Sequence, residues 1–236
     1  MKKNGGGNLL GHLEALRSVL IKCFTALAIG IVPMFLAAPY IIDMLIKVIM
    51  TDNSLKLNFF SPLELFVLQI KTAILADIAV CFPYIAKQLW SFVAPALYAK
   101  ERKFVKSVIW ISSGLFVGGV LFCLFAVLPT IVRFGMSFVT DDIQAVWGVG
   151  NIMSLSLTAA LAFGIVFQFP IIAYALISGG VLNYETVKSK RCHVFVGILV
   201  ISALLTPPDI VSQLLLAFPA YGLFEIGLFF GKLASK

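Results

Sequence analysis

The sequence predicts an all-α, polytopic membrane protein of six transmembrane helices with both termini on the cytoplasmic side. Three observations predict it. Of the 236 residues, 61% are hydrophobic and only 12% are charged, a balance that a soluble domain cannot carry without exposing large apolar patches. Six apolar stretches reach or approach the roughly 20 residues that a helix needs to cross the hydrocarbon core. The Lys and Arg residues collect on one side of those stretches.

The spans are read as about 18–38, 64–86, 107–130, 152–176, 193–206 and 210–230 within a single transmembrane domain, 1–236. With both termini on one face, that face holds 14 of the 18 basic residues; Lys47, Lys56, Lys71 and Arg133 are the remainder. The positive-inside rule makes it the cytoplasmic face. The net charge of +7 reflects this bias and does not point to nucleic acid, because the bases are scattered over short segments.

Residues 1–17 read as a polar lead with a Gly5-Gly6-Gly7 linker. The first apolar run continues into Pro39-Tyr40, so it is expected to be a retained span and not a cleavable signal peptide. An external loop, about 39–63, ends in Ser61-Pro62-Leu63-Glu64, a capping box with proline at the first helical position. A second external loop covers 131–151. The fifth span, Val194 to Thr206, is short for an average bilayer. It ends in Thr206-Pro207-Pro208-Asp209, where Pro207 and Asp209 repeat the capping grammar before the sixth span. Glu64 and Asp209 are therefore read first as helix caps.

Prolines 33, 83, 129, 170 and 219 lie in or near spans. The carbonyls they free must find donors on neighbouring elements. So many bends favour a cupped bundle over a tight cylinder. No internal repeat is visible, which argues against the doubled architecture of secondary transporters.

No catalytic motif is present: no His-Glu-x-x-His, no Gly-x-Ser-x-Gly, no phosphate loop. His12 and His193 are isolated, and Cys23, Cys81, Cys123 and Cys192 lack paired spacing and read as small apolar fillers. Neither a metal site, a cofactor nor a catalytic residue is expected. The acids of the basic face are Glu14, Glu101 and Glu185, with Glu225 close by. Glu14 has Arg17 three residues on, the spacing of an intrahelical pair. Within the spans, Lys71, Asp77 and Gln168 are candidates by their polarity alone. Six residues separate Lys71 from Asp77, which puts them on different faces of one helix.

Four segments resemble the TatC family, the receptor subunit of the twin-arginine protein translocase. They are His12 to Arg17; Phe60-Ser61-Pro62-Leu63-Glu64; Phe92-Val93-Ala94-Pro95-Ala96-Leu97-Tyr98 with Glu101-Arg102; and Leu205-Thr206-Pro207-Pro208-Asp209 with Ser212-Gln213. The resemblance runs from about residue 9 to 231. It implies six helices in a cupped, glove-like arrangement and export of folded proteins driven by the proton-motive force across the bacterial inner membrane. It implies that a signal peptide's paired arginines bind at Glu14, Arg17, Phe92, Pro95, Glu101 and Arg102, with the two glutamates as ligands. It also implies that TatA- and TatB-like single-span proteins pack on the edge carrying Thr206, Ser212 and Gln213, in a multimeric complex. At Gln168 this sequence departs from the glutamate expected for the family. An amide can hydrogen-bond a partner helix but cannot titrate.

The rival reading is a proton-coupled small-solute carrier that uses Asp77, Lys71 and Glu225 as a relay. A carrier calls for polar clusters at mid-membrane on several helices. This chain has few such groups and a richer basic face, so the receptor reading is preferred. A membrane-embedded enzyme ranks third, since no nucleophile and base are paired.

Overall fold

The computed structural model describes residues 5–49, 57–58, 60–97, 102–137, 147–178, 180–205 and 210–234. It is helical almost throughout. The elements are α1 (Gly5–Ile49), β1 (Leu57–Asn58), α2 (Pro62–Leu97), α3 (Arg102–Phe122), a π turn (Cys123–Val127), α4 (Leu128–Met136), β2 (Trp147–Gly148), α5 (Val149–Val166), α6 (Phe169–Ser178), α7 (Tyr184–Ser189), α8 (Arg191–Leu205) and α9 (Ile210–Ala234). Five helical segments are long and apolar enough to cross a membrane: Leu13–Val48, Leu63–Phe92, Ser107–Met136, Val149–Ser178 and Gln213–Leu233. A shorter apolar helix, Arg191–Ala203, lies between the last two. Each segment overlaps one of the stretches read from hydropathy, and most run longer. The protein is a polytopic helical membrane protein.

Helix α1 departs from expectation at both ends. Among the described residues helix runs from Gly5, so residues 5–17 of the expected polar lead, with its glycine linker, are part of α1. Leu9, Leu10, Leu13, Leu16 and Leu20 recur near helical spacing and carry the amphipathic pattern back past the apolar run. At the other end the expected loop from residue 39 is helical to Ile49. Leu45 is buried in the core with Ile41, Ile42 and Ile46 against it, and Lys47 pairs with Asp43 one turn back at 2.6 Å. The helix is 45 residues long, about 67 Å at 1.5 Å per residue. It passes through Pro39, which cannot donate to the carbonyl of Phe35. The Gln69 amide of α2 donates to that Phe35 oxygen at 3.3 Å, so a neighbour satisfies the freed carbonyl.

Prolines shape the other spans in the same way. The π turn at Cys123–Val127 stands just before Pro129, where the missing N–H favours an extra residue in the turn. Pro170 follows a break at Phe167 and Gln168 that divides the fourth span into α5 and α6. α8 has only 15 residues, about 22 Å, so the fifth span is as short as the sequence suggested.

Packing places α1 along α2, α3 between α2 and α5, and α9 against α6 and α8. Close crossing requires small residues. A β-carbon at Gly119 of α3 would lie 2.6 Å from the Phe163 carbonyl of α5. The core runs through Leu68, Cys123, Met153, Phe163, Leu216 and Ala217. Many large apolar side chains of α1 and α2 point outward, as expected of surfaces that face lipid.

At the end of the bundle remote from the chain termini, two short elements absent from the all-α expectation meet. β1 and β2 pair in parallel, Leu57 with Trp147 and Asn58 with Gly148. Glu64 sits beside them, and its role is wider than capping its own helix. Its carboxylate accepts from the Phe60 N–H and from the Gly150 N–H, each at 2.9 Å. One acid thus serves the N-termini of both α2 and α5, where unpaired N–H groups and the helix dipole favour negative charge. Any β-carbon at Gly150 would collide with that carboxylate. Gly150→Ala and Glu64→Ala should each lower the melting temperature of the purified protein by several degrees. The double variant should lose clearly less than the sum, because both changes break one contact. Additive losses would show that the carboxylate does not join the two helix ends.

Candidate functional site

The candidate receptor surface lies at the end of the molecule that carries the termini. Glu14 and Arg17 project from the early turns of α1 and both are exposed. Their spacing suggested an intrahelical pair, yet among the described residues Glu14 has no ion-pair or hydrogen-bond partner. Phe92 lies half-buried near the end of α2, and Pro95 is in its last turn. Arg102 is the first residue of α3. Glu101 falls in the link between α2 and α3, outside the described residues.

A polar cluster that sequence reasoning did not assemble stands at the base of α8 and α9. Arg191 Nη2 lies 2.9 Å from Glu225 Oε2, and the Tyr221 hydroxyl donates to Glu225 Oε1 at 2.9 Å. The Phe195 ring meets Tyr221 edge-on, with centroids 5.2 Å apart. Glu225 was visible as an acid, but its partners were not. The usable signal was a hairpin: antiparallel neighbours bring the start of α8 beside the end of α9. Nearby, Lys188 and Lys232 both approach the face of Tyr184, at 5.9 and 5.7 Å from its centroid.

Gln168 is buried at the break between α5 and α6. Its Oε1 accepts from the Ser112 hydroxyl of α3. Its Nε2 donates to the Ser112 carbonyl at 3.1 Å and to the Gly164 carbonyl at 3.3 Å. This is the interhelical bond that its polarity suggested. The same residue borders an apolar groove of about 460 Å³, walled by Phe82, Leu89 and Trp90 of α2 and by Phe169 and Ile172 of α6. Gln168 and Ser112 are the polar residues among its walls, and a glutamate at 168 would stand on the same wall.

At the edge proposed for single-span partners, Gln213 donates to the Leu199 carbonyl at 3.1 Å, binding α9 to α8. Ser212 is in the first turn of α9. Thr206, Pro207 and Asp209 lie outside the described residues. On α8 and α9 the apolar side chains of Val196, Val200, Ile210 and Phe218 are exposed.

The residues of the carrier hypothesis are not brought together. Lys71 donates to Ser154 of α5 at 3.1 Å. Asp77 is buried against Gly30 of α1, where no β-carbon would fit, and accepts from the Cys81 thiol at 3.4 Å. Glu225 is engaged by Arg191 and Tyr221. No hydrogen bond or ion pair joins any two of these three, so the structure offers no relay among them. Among the described residues no three of His, Cys, Asp and Glu converge as metal ligands do.

Comparison with known proteins agrees with the helical membrane architecture. The family model for Sec-independent protein translocase protein (TatC) matches residues 11–219. The TatC protein of Carboxydothermus hydrogenoformans is 35% identical over 225 residues, spanning 95% of this chain and 92% of that protein. Its counterpart in Escherichia coli is 33% identical over 237 residues, spanning 95% and 88%. The crystal structure of a twin-arginine translocase receptor, TatC, superposes with a TM-score of 0.87 at 34% identity, over 95% of this chain and 100% of that one. With its apolar spans, its capped helix ends and these relatives in agreement, the chain belongs to the TatC family of Sec-independent protein translocase proteins.

Proposed function

We propose that this translocase subunit is the receptor and scaffold of a twin-arginine export system. It sits in the bacterial inner membrane with both termini in the cytoplasm. It binds twin-arginine signal peptides at that face, through Glu14 and Glu101 with Arg17, Phe92, Pro95 and Arg102 around them. It assembles with TatA- and TatB-like single-span proteins through the edge of Thr206, Ser212 and Gln213 and through Gln168, in a multimeric complex. Folded cargo crosses at the expense of the proton-motive force. The part is one of binding and organisation, a transport role and not an enzymatic one.

The observation that carries the reading is the exposed carboxylate of Glu14, which has no partner among the described residues on a face rich in bases. An acid committed to a neighbouring base would have to give up that pair before taking a ligand. A free one is available to a guanidinium, which prefers planar carboxylate partners and can engage them in bidentate geometry. A second acid, at Glu101, would account for a preference for paired arginines, since lysine offers a point charge without the fork. Gln168 supports the assembly part differently. Its bonds to Ser112 hold the wall of the apolar groove, where a helix from a partner would meet few other polar groups.

Three outcomes test the reading. First, a cysteine placed at Asp52 or Asp142 should be labelled by a membrane-impermeant reagent from outside the cell, and one placed at Lys188 should not. Outside labelling at 188 would invert the topology. Second, Gln168→Glu should leave export largely intact, since a carboxyl oxygen can still accept from the Ser112 hydroxyl. Gln168→Leu should weaken co-purification with single-span partners, and full activity in the Leu variant would reduce the residue to packing. Third, titration of a twin-arginine peptide at fixed ionic strength should show about tenfold to hundredfold weaker binding for Glu14→Gln and Glu101→Gln. Charge-assisted hydrogen bonds contribute roughly 1.5–3 kcal/mol. Glu101→Lys should lose more than Glu101→Gln, because it adds repulsion. A correctly inserted Glu101→Lys protein that binds the peptide as tightly as wild type would remove Glu101 from the site.

A further inference from the structure

Lys71 is the one cation of α2 between Pro62 and Ala86, and no role described above uses it. It lies nine residues beyond Pro62, about 13 Å along the helix. Its side chain is exposed, and Phe60, Leu63 and Val67 continue the same outward stripe at 67%, 72% and 47% exposure. An outward apolar stripe on a spanning helix meets lipid, so the amine emerges on a lipid-facing surface. Hydrocarbon cannot solvate an ammonium group, which must reach the interface or find an anion.

The structure shows where the amine goes. Nζ donates to Ser154 Oγ at 3.1 Å. Ser154 lies five residues after the start of α5, roughly 7 Å below that helix end. The side chain therefore crosses from α2 toward the membrane surface that bears β1 and β2. There it borders a pocket of about 450 Å³ whose walls include Asn151 and Ser154 on one side and Leu63 and Val67 on the other. Its walls mix polar and apolar side chains. Glu64 also borders it but does not neutralise Lys71. Both its oxygens already accept backbone N–H groups, it stands two turns away, about 10 Å of rise, and among the described residues no ion pair reaches Lys71.

The geometry points to a binding site for one anionic phospholipid, in the leaflet on the β1/β2 side of the membrane. The phosphate is held by Lys71 Nζ with the hydroxyl of Ser154 and the amide of Asn151, and an acyl chain runs inward from there past the exposed Ile70 and Ile74 of α2. Charge selects the headgroup: a lipid phosphate with net negative charge gains the ammonium, and a zwitterionic one brings its own cation. A second function of such a lipid would be to anchor the α2–α5 seam beside the Glu64 junction.

The test uses the full-length protein, purified in detergent and stripped of lipid. Native mass spectrometry would follow added dioleoylphosphatidylglycerol, dioleoylphosphatidylcholine and inorganic phosphate in separate arms. The wild type should retain one phosphatidylglycerol more tightly than any phosphatidylcholine. Lys71→Met should weaken that binding roughly fivefold or more, the scale of one basic residue at an anionic surface. Lys71→Arg should keep it, and Ser154→Ala should weaken it less. Lys47→Met, which removes a cation already paired with Asp43, should leave it unchanged. Equal retention of the two lipids by the wild type would overturn the proposal. So would undiminished phosphatidylglycerol binding by Lys71→Met, or saturation of the site by inorganic phosphate alone. If Lys71→Met does not fold, the wild-type lipid comparison and the Ser154→Ala variant decide the matter.

Discussion

Hydrocarbon offers no hydrogen-bond partner, so every backbone carbonyl that a proline frees and every polar side chain within a span must be met by another part of the chain. The structure is organised by how that demand is fulfilled. Gln69 reaches the carbonyl that Pro39 leaves open on α1. Hydroxyls turn back on their own helices, as Thr72 does to Leu68 and Ser156 to Ile152. Gln168 occupies the break before Pro170 and binds α3 with both ends of its amide. These polar contacts fix which helices are neighbours, because apolar packing alone distinguishes one lipid-like surface from another only weakly.

The two ends of the bundle meet the demand with charge. On the β1/β2 side Glu64 gives one carboxylate to two helix N-termini. On the side of the termini, Arg191 and Tyr221 converge on Glu225 and hold the short α8 against α9. The second contact matters because α8 is too short to be located by hydrophobic matching alone. Binding α8 to α9 at Glu225 and again through Gln213 gives that helix a defined place. Against these committed groups, the acid at Glu14 differs in having no partner among the described residues, which suits a group that meets its ligand from outside.

A folded-protein exporter needs a rigid docking face and a membrane-embedded surface on which partners can rearrange. Both are compatible with this chain. Polar contacts tie the α1–α2, α2–α5 and α8–α9 seams, and the groove beside Gln168 stays almost wholly apolar. A helix entering such a groove would find shape and one amide to recognise. That favours an occupant that can leave again.

The sequence by itself determined the membrane class, the positions of the spans, the shortness of the fifth and the small set of polar groups worth attention. Hydropathy and loop charge are sums over local windows, so they survive without knowledge of neighbours. The four motif segments likewise pointed to the family. Local reading failed where helix outlasted the apolar window: α1 begins at Gly5 and continues through Pro39 to Ile49, because Leu45 has a core to enter and Phe35 has Gln69. Only the tertiary structure decided whom each polar group meets. The partners of Gln69, Gln168 and Glu64 lie 34, 56 and 86 residues away. No local pattern encodes such pairs, since they exist only once the helices have chosen their neighbours. For the same reason Glu64 looked like a cap for one helix and serves two, and Lys71 looked like a midplane charge and reaches toward the surface beside Ser154.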